Sequence, residues 1–343
     1  MDRYFMGVDV GSVSTDLALL DNGGNLVEKI YLRTNGQPVK TIKKGLNTLY
    51  NKYQEVEIGA AGTTGSGRTL AGVILGADVI KNEITSHAIA AAQLIPGVRT
   101  VLEIGGQDSK IIILRDGIAV DFAMNSVCAA GTGSFLDQQA NRLQIPIEEF
   151  GDYALKATNP VRIAGRCSVF AESDMIHKQQ LGYDTPEIIA GLCAAMVRNY
   201  LNNVGRGKEI KAPVVFQGGV AANRGIKKAF EEELGCEVYV PEHHDVMGAI
   251  GAALLAREEI LLKKKEKSSF KGFAITDFDF KTSSFECKGC ANHCEIINIY
   301  QNGELIARWG SKCQRWETVD KDIDKGIDKG IDKEKDKIKL EVL

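Results

Sequence analysis

The sequence has no apolar run long enough to cross a bilayer and no excess of positive charge. A membrane-spanning helix needs about 20 consecutive apolar residues, and no stretch reaches that length. The chain opens with MDRYFMGVDVG, which leads directly into a predicted strand without the pattern of a signal peptide. A formal net charge of -3 over 343 residues gives no sign of a nucleic-acid binder. We therefore expect a cytoplasmic protein that binds neither membranes nor nucleic acids.

A Walker motif is also absent. The nearest approach is TTGSGRTL at residues 63–70, where no Gly-Lys-Ser/Thr follows the glycines. We therefore predict an ordinary glycine turn here. The composition is that of a large folded protein, because 44% apolar residues, 25% charged residues and 36 glycines predict two lobes with additional segments.

Two of the eight cysteines lie next to predicted helix starts. Cys128 stands between a strand and a helix pattern in NSVCAAGTGSFLDQQA, and Cys167 is placed similarly in AGRCSVFAESDMI. A helix N-terminus favours a thiolate, the form that binds metals or attacks electrophiles. A single free cysteine is commonly a small buried residue, but two in the same setting favour metal ligation. Two thiolates are half of a four-ligand set, which a twofold axis would complete around one 4Fe-4S cluster shared by two chains.

The N-terminal stretch is predicted to form a hairpin whose turn suits a magnesium nucleotide. The turn contains Asp9, Gly11, Ser12, Ser14 and Thr15. A carboxylate beside small hydroxyl residues can hold the water shell of Mg²⁺, and the N–H groups of the turn can hold phosphate. A plain polar hairpin is the alternative interpretation of this stretch taken alone.

The same strand–turn–strand pattern returns at residues 98–125, with Glu103, Gln107 and Asp108 at its turn. Two such turns could clamp phosphates from opposite sides of a cleft. A third glycine turn, FQGGVAANRGI at residues 216–226, precedes a predicted helix and suits nucleoside binding. The small-residue segment at 241–260 is predicted to be a helix packed closely on a sheet.

One further pair of polar residues has helical spacing. Glu83 and His87 lie one turn apart in NEITSHAIAAAQ, and we interpret them as a surface pair rather than a metal site.

The order of these motifs resembles the acetate and sugar kinase, heat-shock and actin superfamily. More specifically, GVDVGSVST, EIGGQDSK, NSVCAAGTGSFLD, GRCSVFAESD and FQGGVAANRGI resemble the activator ATPases of 2-hydroxyacyl-CoA dehydratases and benzoyl-CoA reductases, over roughly residues 4–260. The resemblance implies an α/β, two-lobed, actin-like (ribonuclease H-like) ATPase fold. It also implies a homodimer bridged by one 4Fe-4S cluster on Cys128 and Cys167.

In that family, ATP hydrolysis drives one low-potential electron to a partner enzyme with its own Fe-S cluster. A 2-hydroxyacyl-CoA dehydratase, a benzoyl-CoA reductase and a double-cubane-cluster protein are the partners that the resemblance implies. A ferredoxin or flavodoxin is the expected electron donor. The implied cofactors are the shared cluster and ATP or ADP with Mg²⁺.

The resemblance also assigns the nucleotide site residue by residue. The first phosphate loop contains Asp9, Gly11, Ser12, Ser14 and Thr15, the second contains Glu103, Gly105, Gly106 and Gln107, and the adenosine loop contains Gly218, Gly219 and Val220. The expected catalytic residues are Asp9, which acts on Mg²⁺ through water, together with Glu103 and Gln107. The motif leaves open which of Glu103, Gln107 and Asp108 positions the hydrolytic water.

Beyond residue 260 the chain departs from the short activators. Cys287, Cys290, Cys294 and Cys313 follow the spacing C-x2-C-x3-C-x18-C, which resembles a cysteine module in larger, fused relatives. The set can close a tetrahedral site, so zinc and a second 4Fe-4S cluster are both chemically complete interpretations. His293, inside the run, is interpreted as a bystander.

We divide the chain accordingly. The expected segments are lobe I at 1–98, lobe II with the cluster-ligand helices at 99–246, a helix returning to lobe I at 247–262, a charged linker at 263–284, the four-cysteine metal or Fe-S module at 285–318 and a charged, disordered tail at 319–343. Two other functions stay open from the residues alone. A small-molecule kinase of the same superfamily explains the glycine turns, and a zinc-stabilised nucleotide sensor explains the C-terminal cysteines.

Overall fold

The computed structural model describes residues 3–54, 56–125, 128–263, 267–313 and 316. It confirms the expected α/β actin-like architecture. Two five-stranded mixed sheets share one topology, and a three-stranded antiparallel sheet follows them. Within this described part of the chain, no helix is both long and apolar enough to span a membrane.

The first sheet belongs to lobe I. Its strands are β1 (Arg3–Val10), β2 (Ser14–Leu20), β3 (Leu26–Arg33), β4 (Glu57–Thr64) and β5 (Val79–Ile80), with α1 (Pro38–Lys52) and α2 (Arg68–Leu75) between them. The order β3-β2-β1-β4-β5 combines an antiparallel meander with parallel β4 and β5. Helix α3 (Glu83–Leu94) then leads to the second sheet.

The second sheet repeats this plan, as the sequence repeat predicts. Its strands are β6 (Thr100–Ile104), β7 (Ser109–Arg115), β8 (Ile118–Asn125), β9 (Val214–Gln217) and β10 (Val238–Tyr239), in the order β10-β9-β6-β7-β8. Four helices lie between β8 and β9, namely α4 (Gly133–Leu143), α5 (Ile147–Leu155), α6 (Ser168–Gln180) and α7 (Thr185–Asn203), and α8 (Arg224–Leu234) precedes β10.

Local sequence sets the ends of several helices. The side chain of Asn82 accepts a hydrogen bond from the backbone N–H of Thr85 (2.9 Å) and caps α3. Asn223 caps α8 in the same way through Ile226 N–H (3.1 Å). Gly76 ends α2 at a φ of 69°, a left-handed conformation that favours glycine.

Helix α9 (Met247–Lys263) packs directly on the first sheet, which confirms the predicted small-residue helix. A Cβ atom added to Gly7 of β1 would lie 1.8 Å from the carbonyl oxygen of Ala249. A Cβ atom added to Gly62 of β4 would lie 2.1 Å from the carbonyl oxygen of Ala252. Only glycine therefore allows this approach. Together with α3, α9 fills the core between the two sheets.

Residues 268–280 correct the expected charged linker. Ile275 and Phe280 are buried in the same core as Ile42 of α1. The backbone N–H of Lys271 donates to Leu75 O (2.9 Å), and Lys43 Nζ donates to Phe278 O (2.8 Å). The apolar residues that follow the charged run explain the error, since they cover α1 and α2 on the outer face of lobe I.

The C-terminal sheet continues from this covering segment. It consists of β11 (Phe280–Glu286), β12 (Glu295–Gln301) and β13 (Glu304–Trp309), paired antiparallel in the order of the chain. Ile299 of β12 is fully buried in the lobe I core. The module is thus packed against lobe I and shares its core. The predicted tail at 319–343 lies outside the described residues.

Replacement of Ile275 by alanine tests this packing. The side chain is fully buried, so Ile275→Ala should lower the free energy of unfolding by about 2–5 kcal/mol, measured by denaturant titration. Leu262→Ala is the matched control, because Leu262 is 72% exposed and its loss should change stability by less than about 0.5 kcal/mol. Equal, small effects of both substitutions would show that residues 268–280 do not share the lobe I core.

Candidate functional site

A cavity of about 410 Å³ lies between the two hairpin turns and the start of the glycine segment after β9. It is lined by nearly all the residues expected to bind nucleotide: Asp9, Gly11, Ser12, Ser14, Glu103, Gly105, Gly106, Gln107, Gly218, Gly219 and Val220. The two phosphate turns approach each other closely, since a Cβ atom on Gly106 would lie 2.6 Å from Val13 Cγ2. The structure therefore brings the three predicted glycine turns together in one cleft.

Thr15 is the exception. Its side chain is fully buried, and its hydroxyl lies 2.9 Å from the hydroxyl of Thr34. Side chains alternate across a strand, so Ser14 and Asp16 of β2 line the cavity while Thr15 points into lobe I. The expectation that Thr15 belongs to the phosphate loop is corrected by this alternation.

Asp9 lies near the end of β1 on the floor of the cleft, where glycines surround its carboxylate. A Cβ atom on Gly248 would lie 1.9 Å from Asp9 Oδ2, and one on Gly65 would lie 2.4 Å from Asp9 Oδ1. Desolvation, together with the negative charge of Glu83, raises the pKa of Asp9 to about 7. A nearby cation would stabilise the ionised form of a carboxylate in such a setting.

The donors in the cleft fit Mg²⁺ held through nucleotide and water rather than by the protein alone. Among the described residues, no group of three or more His, Cys, Asp or Glu side chains is placed to hold a metal ion. Mg²⁺ in nucleotide sites commonly uses one or two carboxylates and takes its other ligands from phosphate and water. Asp9 suits that arrangement.

The second turn contains a buried ion-pair cluster that the sequence analysis did not identify. Lys110 Nζ lies 2.8 Å from Glu83, 2.9 Å from Asp108 and 3.0 Å from Glu103. Burial alone would lower the pKa of Lys110, but the three carboxylates together raise it above its ordinary value. Desolvation raises the pKa of Glu103 to about 7, although Lys110 opposes that shift. The sequence signal was a lysine at an inward position of the apolar strand SKIIILR.

Glu83 and His87 correct the predicted surface pair, because both line the cavity. His87 is 6% exposed, and its Nδ1 lies 2.7 Å from Gln217 Nε2. Desolvation and the charge of Lys110 lower the pKa of His87 to about 3, so the imidazole is neutral. Helix α3 turns this face inward because it packs tightly on α9, where a Cβ atom on Gly251 would lie 1.9 Å from Ser86 O.

The two predicted cluster cysteines differ in their relation to helices. Cys167 is the residue that immediately precedes α6. Cys128 precedes a short 3-10 turn at Ala129–Gly131, and α4 begins only at Gly133. The expected helix N-terminus at Cys128 is therefore displaced by one turn, because Thr132 has an extended backbone (φ −132°).

Two asparagines hold the segments that contain these cysteines. Cys128 N–H donates to Asn125 Oδ1 (3.0 Å), and Asn125 Nδ2 donates to Cys128 O (2.9 Å). Asn199 of α7 donates to Gly165 O (2.7 Å), and it also lies beside Gly131, whose added Cβ atom would be 3.0 Å from Asn199 Oδ1. Asn199 thus contacts both segments, and both thiols are partly exposed.

The second phosphate turn is bonded directly to the start of α4. Gly133 N–H donates to Gly105 O (2.9 Å), and Ser134 N–H donates to Gly106 O (2.9 Å). The backbone of the predicted phosphate loop is therefore connected to the segment that begins at Cys128.

The C-terminal cysteines surround one end of the three-stranded sheet. Cys287 N–H donates to Cys294 O (2.8 Å), which places these residues opposite each other beyond the paired strands. The sulfur of Cys287 accepts hydrogen bonds from Gly289 N–H (3.4 Å) and Trp316 Nε1 (3.3 Å). The other two cysteines of the set, Cys290 and Cys313, have exposed thiols. Among the described residues, the four side chains are not close enough together to form a metal site. His293 contacts Glu286 (2.8 Å) instead of joining them.

The raised pKa of Asp9 gives a pH dependence that can be measured on the nucleotide-free protein. The folded state retains the proton to about pH 7, whereas the unfolded state loses it near pH 4, so folding is progressively weakened as the pH rises between these values. Asp9→Asn removes this contribution, which is at most about 1.4 kcal/mol for each pH unit.

Denaturant titrations at pH 5, 6, 7 and 8 measure this contribution of Asp9 to the free energy of unfolding. Asp9→Asn should gain stability relative to the wild type as the pH rises from 5 to 7 and show no further gain above that. Asp121→Asn is the control, because the bond from Lys208 lowers the pKa of this surface carboxyl, and its curve should run parallel to the wild type. A parallel curve for Asp9→Asn would contradict the raised pKa.

One protein family matches most of the chain. Residues 6–256 match the family described as the BadF/BadG/BcrA/BcrD ATPase family. The (R)-2-hydroxyglutaryl-CoA dehydratase activating ATPase of Acidaminococcus fermentans is 38% identical over 264 residues, covering 75% of this chain and 98% of that protein. One of the benzoyl-CoA reductase subunits of Thauera aromatica is 30% identical over 266 residues, covering 72% of this chain and 91% of that protein.

A solved structure gives the same result for the fold. The activator of the 2-hydroxyisocaproyl-CoA dehydratase from Clostridium difficile, with bound ADPNP, superposes with a TM-score of 0.69 at 34% identity, covering 77% of this chain and 97% of that one. The family match ends before the C-terminal cysteine module. The match spans most of the chain and includes all three glycine turns and both cysteine segments, so the chain belongs to the BadF/BadG/BcrA/BcrD ATPase family.

Proposed function

We propose that this protein is an ATP-driven activator that delivers single low-potential electrons to a partner enzyme. Two chains share one 4Fe-4S cluster through Cys128 and Cys167, and the partner is a dehydratase or reductase with its own Fe-S cluster. Relatives described as activators of dehydratases, and one that belongs to a benzoyl-CoA reductase, support the partner class. A ferredoxin or flavodoxin is the proposed donor, and double-cubane-cluster proteins belong to the same partner class.

The observation that carries this proposal is the pair of backbone bonds from Gly133 and Ser134 to the second phosphate turn. A nucleotide phosphate that displaces Gly105 and Gly106 therefore also moves the start of α4, because these bonds connect the two. The same segment begins at Cys128, which Asn125 fixes on both its N–H and its carbonyl group. Occupancy of the nucleotide site is thereby transmitted to the cysteine, which is the requirement for an ATP-driven donor.

The cysteines fit a shared cluster by chemistry and number. Both thiols are partly exposed, so a second chain can approach them. One chain offers two thiolates, and a [4Fe-4S] cluster takes four. When bound, the cluster supplies one-electron transfer at a potential that depends on charge, hydrogen bonds and exposure around it. In this chain, the role of Asn199 is to hold the two ligand segments side by side.

The nucleotide site has the residues for binding and hydrolysis. We assign Asp9 to the water shell of Mg²⁺, and the backbone of the turns at Gly11–Ser14 and Gly105–Gln107 to the phosphates. Gly218, Gly219 and Val220 are assigned to the adenosine. Glu103 is the buried carboxylate that faces these loops, and Gln107 lies exposed at the rim, so we assign the hydrolytic water to Glu103 with Gln107 as an orienting group.

The C-terminal cysteines are proposed to bind a second centre, either zinc or a 4Fe-4S cluster. The sulfur of Cys287 already accepts two N–H hydrogen bonds, an arrangement that suits the sulfur of a metal ligand. The module packs on the outer face of lobe I, whereas Cys128 and Cys167 belong to lobe II, and this position supports a structural role for the second centre.

Replacement of Cys128 by serine tests the shared cluster. Because each chain supplies half of the ligands, Cys128→Ser should remove one whole cluster, and with it four iron and four sulfide ions, from each dimer. Iron and acid-labile sulfide are measured on anaerobically purified protein. Cys236→Ser is the matched control, since Cys236 lies between α8 and β10 and belongs to neither ligand segment, so its loss should leave the iron content unchanged. Loss of half a cluster per dimer, or of none, contradicts the bridging arrangement.

The second centre is tested separately. Cys287→Ser should remove a metal that elemental analysis detects in the wild type, either one zinc ion per chain or iron beyond the amount assigned to the shared cluster. ATPase activity should be retained, because the module lies outside the nucleotide cleft. An unchanged metal content in Cys287→Ser, with wild-type protein containing only the iron that Cys128→Ser removes, would exclude a second centre.

A further inference from the structure

The two hairpins that form the cleft are equivalent in topology but differ in the charges of their cross-strand pairs. In lobe I, Asp9 of β1 faces Asp16 of β2 across the ladder. In lobe II, Glu103 of β6 faces Lys110 of β7 at the corresponding place. The first pair joins two carboxylates, and the second joins a carboxylate to an ammonium group. Lys110 therefore gives the two halves of the cleft different electrostatic properties.

Lys110 is held in place by three elements at once. Its ammonium group has three N–H donors, and carboxylates from β6 (Glu103), from the β6–β7 turn (Asp108) and from α3 (Glu83) lie within 3.0 Å of it. The side chain is only 3% exposed. From behind, the hydroxyl of Tyr200 donates to the backbone carbonyl of Lys110 (2.6 Å). A buried ammonium with all its donors occupied has one well-defined position.

This position determines how Glu103 faces the nucleotide loops. Lys110 contacts Glu103 through Oε2. The other oxygen, Oε1, points the opposite way, since Cβ atoms on Gly218 and Gly105 would lie 2.8 Å and 3.4 Å from it. Those glycines belong to the loops assigned to adenosine and phosphate. Lys110 thus fixes one oxygen of Glu103 and leaves the other directed at the loops assigned to the nucleotide.

We propose that Lys110 is the positioning residue of ATP hydrolysis, which keeps Glu103 oriented and favours its ionised form, and that Glu83 of α3 competes for the same ammonium. The inference rests on the proposed role of Glu103. In that reaction Glu103 accepts a proton from water as the water oxygen bonds to the terminal phosphorus. The bond from that phosphorus to the bridging oxygen breaks, and ADP leaves with the bonding electrons.

The charges around Glu103 fix the sign of each effect. The groups that act on it are Lys110 and Asp108 on its own hairpin, Glu83 on α3 and Tyr200 on α7. Asp9 of β1 and the neutral His87 of α3 line the same cavity. Lys110 favours the ionised carboxylate, whereas Glu83 and Asp108 oppose it. Removal of Lys110 and removal of Glu83 therefore shift the titration of Glu103 in opposite directions.

The test is the pH profile of kcat for ATP hydrolysis by the full-length protein at saturating Mg²⁺–ATP. Lys110→Met should move the acidic limb upward by one pH unit or more, since an opposite charge in contact shifts a carboxyl by roughly one to three units. Activity at pH 7 should fall at least about fivefold and recover as the pH approaches 9. Glu83→Gln should move the same limb downward by up to about one unit.

Two further variants separate the explanations. Lys227→Met removes a lysine that pairs with Glu231 on α8, outside the cavity, and should leave the profile unchanged. Glu103→Gln should abolish turnover at every pH. If Lys110→Met does not fold, the pH profile of Glu83→Gln tests the proposal alone, and a downward shift of its acidic limb supports it. Unshifted limbs, or shifts in the same direction, overturn the role of Lys110. Full turnover in Glu103→Gln removes Glu103 from hydrolysis and this inference with it, while iron loss in Cys128→Ser still tests the activator function.

Discussion

The contact between the Lys110 ammonium and three carboxylates is the interaction on which the cleft depends. It joins the second hairpin to α3, the helix that leads from one sheet to the other. Carboxylates brought this close repel one another, and an isolated buried charge is costly to desolvate. The ammonium neutralises part of this charge, but burial, together with the charges of Glu83 and Asp108, still raises the pKa values of Asp9 and Glu103 to about 7. The Mg²⁺–nucleotide complex proposed for this cleft would bring a cation beside these carboxylates.

Small residues make the arrangement compact enough to transmit a change at the nucleotide. Gly7 and Gly62 allow α9 to lie directly on the first sheet, and Gly248 allows the start of α9 to touch Asp9. In lobe II, the phosphate turn at Gly105 and Gly106 is hydrogen-bonded to the start of α4. Backbone hydrogen bonds and glycine contacts allow little relative movement of the elements, since no flexible side chain lies between them. In the proposed mechanism, a displacement at the phosphates reaches the segment of Cys128 through these short backbone connections.

The C-terminal module packs on the outer face of lobe I and does not line the cleft. Its covering segment places Ile275 and Phe280 over α1 and α2, and its sheet adds Ile299 to the same core. A sheet of three short strands has little core of its own, so it gains stability from lobe I and from any metal bound by its cysteines. The family match extends only to the region of α9. The module is thus an addition to a complete two-lobed ATPase.

Local pattern along the chain was enough to predict the two hairpin repeats, the glycine turns, the small-residue helix and the segments that contain Cys128 and Cys167. Alternation along β2 could also have excluded Thr15, because the period of two is local. The packing of distant segments decided the rest. Glu83, His87 and Lys110 meet only because α3 is clamped against α9 and its inner face turns to the cleft. Such contacts join residues distant in the chain, and helical spacing alone gives the same pattern for a surface pair as for a buried one.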